Sequence, residues 1–398
     1  MEEVLNRVKE VALRPEAVKK APRINLNNTT SILGLTKSQM LKRIQGKKLP
    51  GGDTSGPRTW YTIEQVQEMS RSLGLRHEYA PGHGIVLTIA NFKGGVAKST
   101  TSVTLAQYLS CRGLSCIVID MDPQASATTL FGVSPYLEVD REKSTYSLLD
   151  GGDADAMTAV MKTYWPGIDL VPANQFLYGR EFGLAAAGRE LGGDVFRYLL
   201  DILPPLRAAY DVVIIDTQPS LGFLTSNAIW AADHLLITVP PSSLDFASSV
   251  IFWSLLRDVM RSAERGRGTP KYWEDISVLL TKVDNQDKST VFNKQLVSMG
   301  CEDWLLPESI PATRVATNAS SEFQTLYDIE RYEGSHKSLK VAREFFDRAY
   351  QQILSKLNHT WDVWQHPDRW RIAQTPDTAD LFAQNPVAAN EPKPEVAA

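Results

Sequence analysis

Two lysines, a serine and a glycine pair stand at spacings that suit phosphate chemistry. Residues 91–101 read Asn-Phe-Lys-Gly-Gly-Val-Ala-Lys-Ser-Thr-Thr. The apolar run Ile85–Ala90 precedes them, and a helical pattern of Val103, Leu105, Ala106 and Leu109 follows. A glycine turn between strand and helix aims backbone N–H groups and the positive helix end at an anion. Lys93, Gly94, Gly95, Val96, Ala97, Lys98, Ser99 and Thr100 are therefore the expected nucleotide-binding segment. Lys98 would reach the outer phosphates, and the Ser99 hydroxyl would ligate Mg²⁺. The strict pattern G-x-x-x-x-G-K-[ST] fails twice, because Phe92 and Ala97 occupy its glycine positions. Ala97 is the sharper departure, since alanine resists backbone angles that glycine takes freely.

Three further runs place polar groups at strand ends. Residues 116–119 lead into Asp120-Met121-Asp122-Pro123-Gln124, and residues 212–215 lead into Asp216-Thr217-Gln218-Pro219-Ser220. Acidic groups at the carboxyl ends of strands flank the ligand crevice of an open α/β sheet. Asp216, after a four-residue apolar strand, is a Walker B arrangement that would hold Mg²⁺ opposite Ser99. Asp120 reads as structural or as a support behind the groups that touch the ligand. Residues 276–280 lead into Thr281-Lys282-Val283-Asp284, where Thr281 is a candidate for the base side of the nucleotide and an ordinary surface loop is the alternative.

These motifs need a sheet to hold them. Residues 85–90, 116–119, 168–171, 212–215, 235–239 and 276–280 are short β-branched runs, with helical stretches such as 102–111 and 250–261 between them. Nearly continuous apolar strands alternating with helices imply an α/β fold, a mostly parallel sheet covered on both faces. The expected organisation is a helix within residues 1–23 (4–12, a candidate dimer contact), a small DNA-binding unit and linker over 24–84, an ATPase body over 85–365 and a disordered tail over 366–398. Hydrophobic residues at 43% and charged residues at 22% exclude a wholly disordered or collagen-like chain. Three cysteines, Cys111, Cys116 and Cys301, lack zinc-ligand spacing and suit a reducing cytosol. The N-terminus has no apolar leader segment, and the longest apolar runs fall short of a membrane span.

Charge is unevenly placed. Residues 1–84 carry fourteen Lys/Arg against eight Asp/Glu, on a chain of net charge −4. Within this basic front, residues 29–44 read as a helix, a turn at Gly34 and a second helix exposing Lys37, Lys42 and Arg43. Then come a Gly/Pro loop, Arg58-Thr59-Trp60-Tyr61 and a helix from Thr62 with a Thr62/Gln65 capping box. This is a candidate helix-turn-helix, although short helix pairs with a glycine turn also occur in domains that bind no DNA. Its order of helix, loop, Arg-x-x-Tyr and helix looks like a MerR-type winged fold.

Lys93-Gly94-Gly95-Val96-Ala97-Lys98-Ser99, with its extra lysine at the start, resembles the deviant phosphate loop of the ParA/MinD group of P-loop ATPases. The resemblance is closest to the large DNA-partition ATPases, including the partition ATPase of RepABC systems. It covers about residues 25–360 and is specific in the three phosphate motifs. It implies that Lys93 reaches across a nucleotide-sandwich homodimer to the partner's phosphates. It implies that Asp122 orients the attacking water, so that Lys93, Lys98 and Asp122 are the catalytic set. It further implies ATP and Mg²⁺ as ligands, weak hydrolysis stimulated by a ParB-type centromere-binding protein and DNA, and a cytoplasmic, nucleoid-associated life. Operator binding and autoregulation would belong to the N-terminal unit. One departure is Gln218-Pro219, where the family more often has Pro-Pro.

Residues 335–357 read as an amphipathic helix with Leu339, Ala342, Phe346, Ala349 and Ile353 on its core face. Lys337, Lys340 and Arg348 lie opposite, which makes Lys337 and Lys340 candidates for contacts to DNA of any sequence. A MinD-like membrane-positioned ATPase would end in a basic amphipathic helix, whereas residues 375–398 hold a single basic residue, Lys393. An iron–sulfur reductase of the same fold group needs paired cysteines, which are lacking. A repressor with only a regulatory nucleotide site remains the other reading, against which the intact Lys93, Lys98, Asp122 and Asp216 weigh.

Overall fold

A computed structural model describes residues 19–370, apart from 55, 57, 81, 150–154, 192–194, 242, 269 and 285. The helix expected at 4–12 lies outside the described residues, as does the tail expected over 366–398 except for its first five residues, of which Pro367–Trp370 are helical rather than disordered. The front of the chain forms β1 (Ile24–Asn25), α1 (Leu26–Ile32), α2 (Lys37–Gln45), β2 (Trp60–Tyr61) and α3 (Ile63–Ser72). Gly34 turns α1 into α2 at φ +64°, and Thr36 with Gln39 closes a capping box at the start of α2. The Thr62/Gln65 box caps α3 in the same way. β1 pairs antiparallel with β2, and Asp53 bridges back to Trp60. Gly52 is required there, because a Cβ on it would come within 2.6 Å of the Trp60 carbonyl.

The body continues through β3 (Ile85–Ala90), α4 (Lys98–Cys111), β4 (Cys116–Met121), α5 (Ser126–Leu130), α6 (Thr145–Leu148), β5 (Met161–Lys162) and β6 (Ile168–Val171). It goes on with α7 (Leu177–Leu191), α8 (Tyr198–Ala209), β7 (Val212–Thr217), α9 (Phe223–Ala231), β8 (His234–Val239), α10 (Ser243–Arg267) and β9 (Asp275–Leu280). The last elements are α11 (Lys288–Gly300), α12 (Arg314–Ser321), α13 (His336–Gln365) and α14 (Pro367–Trp370). The sheet runs β5-β6-β4-β7-β3-β8-β9, parallel throughout except for the edge pair β5–β6. Both faces are covered, and the strands alternate between two cores. Ile85, Leu87 and Ile89 pack under α4 and α13, while Val86 and Ala90 pack under α8 and α9. β3 crosses to β4 through α4 on one face, and β7 crosses to β8 through α9 on the other. That divergence opens a crevice at the carboxyl ends of β3 and β7, where the loop after β3 lies.

The amphipathic reading of residues 335–357 holds, and Leu339, Ala342, Phe346, Ala349 and Ile353 are all buried. The helix outruns it, reaching Gln365, because Leu357 and Trp361 continue the apolar stripe. Residues 77–84, which read as a linker, are pinned to the body. The Tyr79 ring stacks on Trp361 at 4.6 Å, Trp361 Nε1 donates to the His83 carbonyl, and Arg76 pairs with Asp211 at 2.7 Å. α3 also docks on α4: the Gln67 amide donates to Ser110 Oγ, and Ser70 Oγ donates to the Cys111 carbonyl at 2.7 Å. The front unit and the body therefore share one core, which includes Met40, Ile63, Val66, Met69 and Leu105. No helix among the described residues is long and apolar enough to cross a membrane.

His234 ties α13 to the sheet, with Nε2 2.7 Å from Thr360 Oγ1. Burial pushes its pKa from 6.5 down to about 4. Between those values the unfolded chain takes a proton that the folded one refuses, so stability falls on acidification. Urea unfolding should lose roughly 2 kcal/mol between pH 7 and pH 5 from this group, and His234→Gln should flatten that part of the profile.

Candidate functional site

The loop after β3 is braced from three sides. Asn91 at the strand end accepts from the Lys93 N–H at 3.0 Å and donates from its amide to the Thr238 carbonyl at 2.8 Å. The Thr281 hydroxyl donates to the Val96 carbonyl at 3.1 Å, and Lys282 Nζ donates to the Gly95 carbonyl at 2.6 Å. Gly95 sits at φ +74°, and Gly94 faces Pro219, to which a Cβ would come within 3.8 Å. Thr281 is buried, with its hydroxyl engaged on the loop. It braces the phosphate loop, so the direct base-side contact expected of it is not what its side chain offers.

Ala97 adopts φ +69°, ψ +25°, the left-handed conformation, immediately before α4 begins at Lys98. The glycine-specific angle is kept by an alanine, at a cost of about 1 kcal/mol. α4 has no side-chain cap, so no capping side chain takes up the N–H groups of its first turn. Lys98 is buried and folds back to donate to the Lys93 carbonyl at 2.9 Å. Burial lowers its pKa, while Asp216 and Asp122 push it back up.

Both aspartates lie within electrostatic reach of that ammonium. Asp216 is fully buried and accepts from Ser102 Oγ at 2.9 Å. Burial pushes its pKa up to about 6, against the pull of the Ser99 and Ser102 hydroxyls and the Lys98 charge. Its other oxygen, Oδ2, is buried and makes no hydrogen bond of normal length, with the Ser99 hydroxyl near enough to act on the carboxylate. A carboxylate oxygen left bare beside Ser99 fits a hard cation such as Mg²⁺, which takes one or two protein oxygens and completes its shell with phosphate and water. Among the described residues no group of three or more His, Cys, Asp or Glu side chains could hold a metal ion by itself. Asp122 is buried with Oδ1 accepting the Gln124 N–H at 2.9 Å, and burial raises its pKa. Asp120, the register partner of Asp216, accepts from the Thr128 N–H and hydroxyl and from the Asp122 N–H. It organises the strand end, as its reading as structural requires.

The remaining candidates lie away from this cluster. Lys37, Lys42 and Arg58 are exposed on the front unit, with Arg43 half-buried beside them. Lys337 and Lys340 are exposed on α13, but Lys340 stands 3.6 Å from Glu344 and Arg348 pairs with Glu308 at 3.2 Å. The positive face of α13 is therefore thinner than its lysines and arginine suggest. Sequence reasoning missed Asn91, Ser102 and Lys282. Ser102 had a signal, since it lies one helical turn beyond Lys98. Lys282 stood in the strand-end segment already singled out, but its bond to the loop follows only from the order of strands in the sheet.

Replacing Ala97 by glycine should relieve the left-handed backbone, raising stability by about 0.5–1 kcal/mol without loss of nucleotide affinity. Thermal unfolding and fluorescent-nucleotide titration of Ala97→Gly check this, and a drop in either would mean that the angle is not strained.

A family profile described as "AAA domain" matches residues 84–263. The chain is similar to "Chromosome partitioning protein ParA" of Caulobacter vibrioides (strain NA1000 / CB15N), at 34% identity over 66% of this chain and 94% of that one. It is also similar to "Putative replication protein A" of Sinorhizobium fredii, at 28% identity over 87% of this chain and 89% of the relative. A solved structure called "Partition Protein" superposes with a TM-score of 0.61 over 90% of this chain and 97% of the other, at 17% identity, which speaks for the fold alone. Likeness over nearly the whole length of a ParA, together with a profile match that takes in the phosphate loop, makes this chain a member of the ParA/MinD family of P-loop ATPases, among its partition proteins.

Proposed function

We propose that the chain drives partition of a plasmid or secondary chromosome by hydrolysing ATP to ADP and phosphate as a nucleotide-sandwich homodimer. The observation that carries this reading is the bare Oδ2 of Asp216 beside Ser99, with Lys98 and Asp122 around the same loop. Ser99 and Asp216 would hold Mg²⁺, which when bound would offset the charge of the phosphates. The backbone N–H groups of 94–99 cradle the phosphates, and Lys98 leaves the Lys93 carbonyl to meet them. Asp122 orients water against the terminal phosphoryl group. Its fixed Gln124 N–H bond holds one oxygen in place and leaves the other for that water. Phosphoryl transfer asks mainly for positioning and charge stabilisation, so a single carboxylate suffices for slow turnover. Lys93 would reach the partner subunit's nucleotide, and a ParB-type protein with DNA would raise the rate.

The DNA roles divide between the front unit and the body. Lys37, Lys42, Arg43 and Arg58 would contact a specific operator, which supports autoregulation, and Lys337 and Lys340 would contact any duplex once two subunits combine their charges. This fits a protein that uses the nucleoid as its track in the cytoplasm.

Lys98→Ala should abolish nucleotide binding, whereas Asp122→Ala should keep it and lower turnover at least ~100-fold. Equal ATPase rates for wild type and Asp122→Ala would refute the water-orienting role.

Truncating residues 1–76 would strip Gln67 and Ser70 from α4, so substitutions are the cleaner test of DNA binding. Lys42→Glu with Arg43→Glu should erase footprinting on the chain's own upstream DNA and leave ATPase intact. Lys337→Glu with Lys340→Glu should instead weaken random-duplex binding in ATP by ~10-fold or more and flatten its salt dependence. Unchanged footprints or an unchanged salt slope would remove the corresponding surface from the assignment.

A further inference from the structure

The segment that follows Asp216 is held from outside by one carboxylate. Glu181, on α7, accepts three hydrogen bonds from it: the Gln218 amide to Oε2 at 3.0 Å, the Phe223 N–H to Oε1 at 2.6 Å and the Leu224 N–H to Oε2 at 3.1 Å. The two N–H groups belong to the first turn of α9, which has no side-chain cap of its own. An anion at that position satisfies orphan donors and complements the helix dipole. The approach is so close that a Cβ on Gly222 would come within 2.1 Å of Glu181 Oε1. Glycine is needed at 222 for this contact and not for its backbone angle, since Gly222 lies at φ −87°. Gln218 is the residue at which the chain departs from the family's Pro-Pro pattern, and its amide is one of the three donors.

The clamped segment leads directly to the phosphate loop, because Pro219 faces Gly94. α7 touches the other phosphate-side segment as well. The Tyr178 hydroxyl, one turn before Glu181, bonds the amide of Gln124, whose own N–H holds Asp122. We propose that Glu181 is a positioning residue for hydrolysis: through Gln218, Phe223 and Leu224 it sets residues 218–224 against the phosphate loop, and Gly222 exists to admit it. This rests on the reading of the loop and Asp216 as an ATPase centre.

Two measurements on the full chain test it. Hydrogen exchange without nucleotide reads the clamp itself. Glu181→Ala should speed exchange of the Phe223 and Leu224 amides by ~10-fold or more while β7 stays protected, and unchanged exchange would overturn the proposal. Steady-state ATPase beside fluorescent-ADP binding reads the consequence. Glu181→Ala and Gly222→Ala should each lower kcat by about 10-fold with ADP affinity held within about twofold. The double variant should be no worse than either single one, since the added methyl then meets no carboxylate. Glu181→Gln, which keeps one acceptor oxygen, should fall between wild type and Glu181→Ala. An unchanged kcat, multiplying losses in the double variant, or a kcat loss matched by equal losses of ADP affinity and melting temperature would each overturn it. A wild-type chain with no ATPase would instead overturn the functional reading, and the exchange measurement would still decide whether Glu181 holds the segment.

Discussion

A carboxylate at the end of a fully buried strand is the constraint on which the site depends. Asp216 is the next-to-last residue of β7, a strand buried along its whole length, so nothing but its neighbours can compensate its charge. Ser102 engages one oxygen, and Lys98 lies close enough to favour the ionised form. The other oxygen makes no hydrogen bond of normal length, although the Ser99 hydroxyl lies close by, and burial raises the pKa of the residue. A site left in that state favours a cation and the phosphates that come with it. The same electrostatics keep Lys98 folded onto the loop and Asp120 wrapped in the donors of Thr128. Binding and local stability are therefore two sides of one arrangement of charge.

α4 carries that arrangement across the molecule. Its first residues, Lys98 and Ser99, belong to the phosphate loop, and its last turn receives Gln67 and Ser70 from the front unit. Fourteen residues of helix span about 20 Å, so both ends are linked by a rigid element. The segment 77–84 adds a second tie through the Tyr79–Trp361 stack. A basic unit carried on a flexible tether would report little of what happens at the loop. One sharing a core with the loop's own helix is placed to move with it.

Much of the architecture was legible because its causes are local. The parallel sheet follows from continuous β-branched runs, the helix pair from Gly34 and its capping residues, and α13 from an apolar period of three to four. The same holds for Asp216 and the lysines, whose chemistry follows from residue type and from their place after a strand or before a helix. Local signals do not show which partners the fold brings to a residue. Residues 77–84 carry turn-forming chemistry, yet His77, Tyr79 and His83 find a partner in Trp361 nearly 280 residues away. Lys340 and Arg348 look like bare cations along one helix face, but acidic side chains at 344 and 308 answer them.

By itself, then, the sequence determined the α/β class, the phosphate loop with its two lysines, and the strand-end positions of Asp122 and Asp216. Those are consequences of periodicity and spacing within a dozen residues, a range over which backbone geometry decides who meets whom. Only the tertiary structure decided that Ala97 holds the left-handed angle, that Thr281 and Lys282 brace the loop rather than line it, and that Glu181 reaches the turn after β7. Each of these depends on strand order. β9 reaches the loop because β8 sits between it and β3, and α7 reaches residues 218–224 because it packs on the face that also carries α9. Strand order is a property of the whole packed sheet, and no short window of residues encodes it.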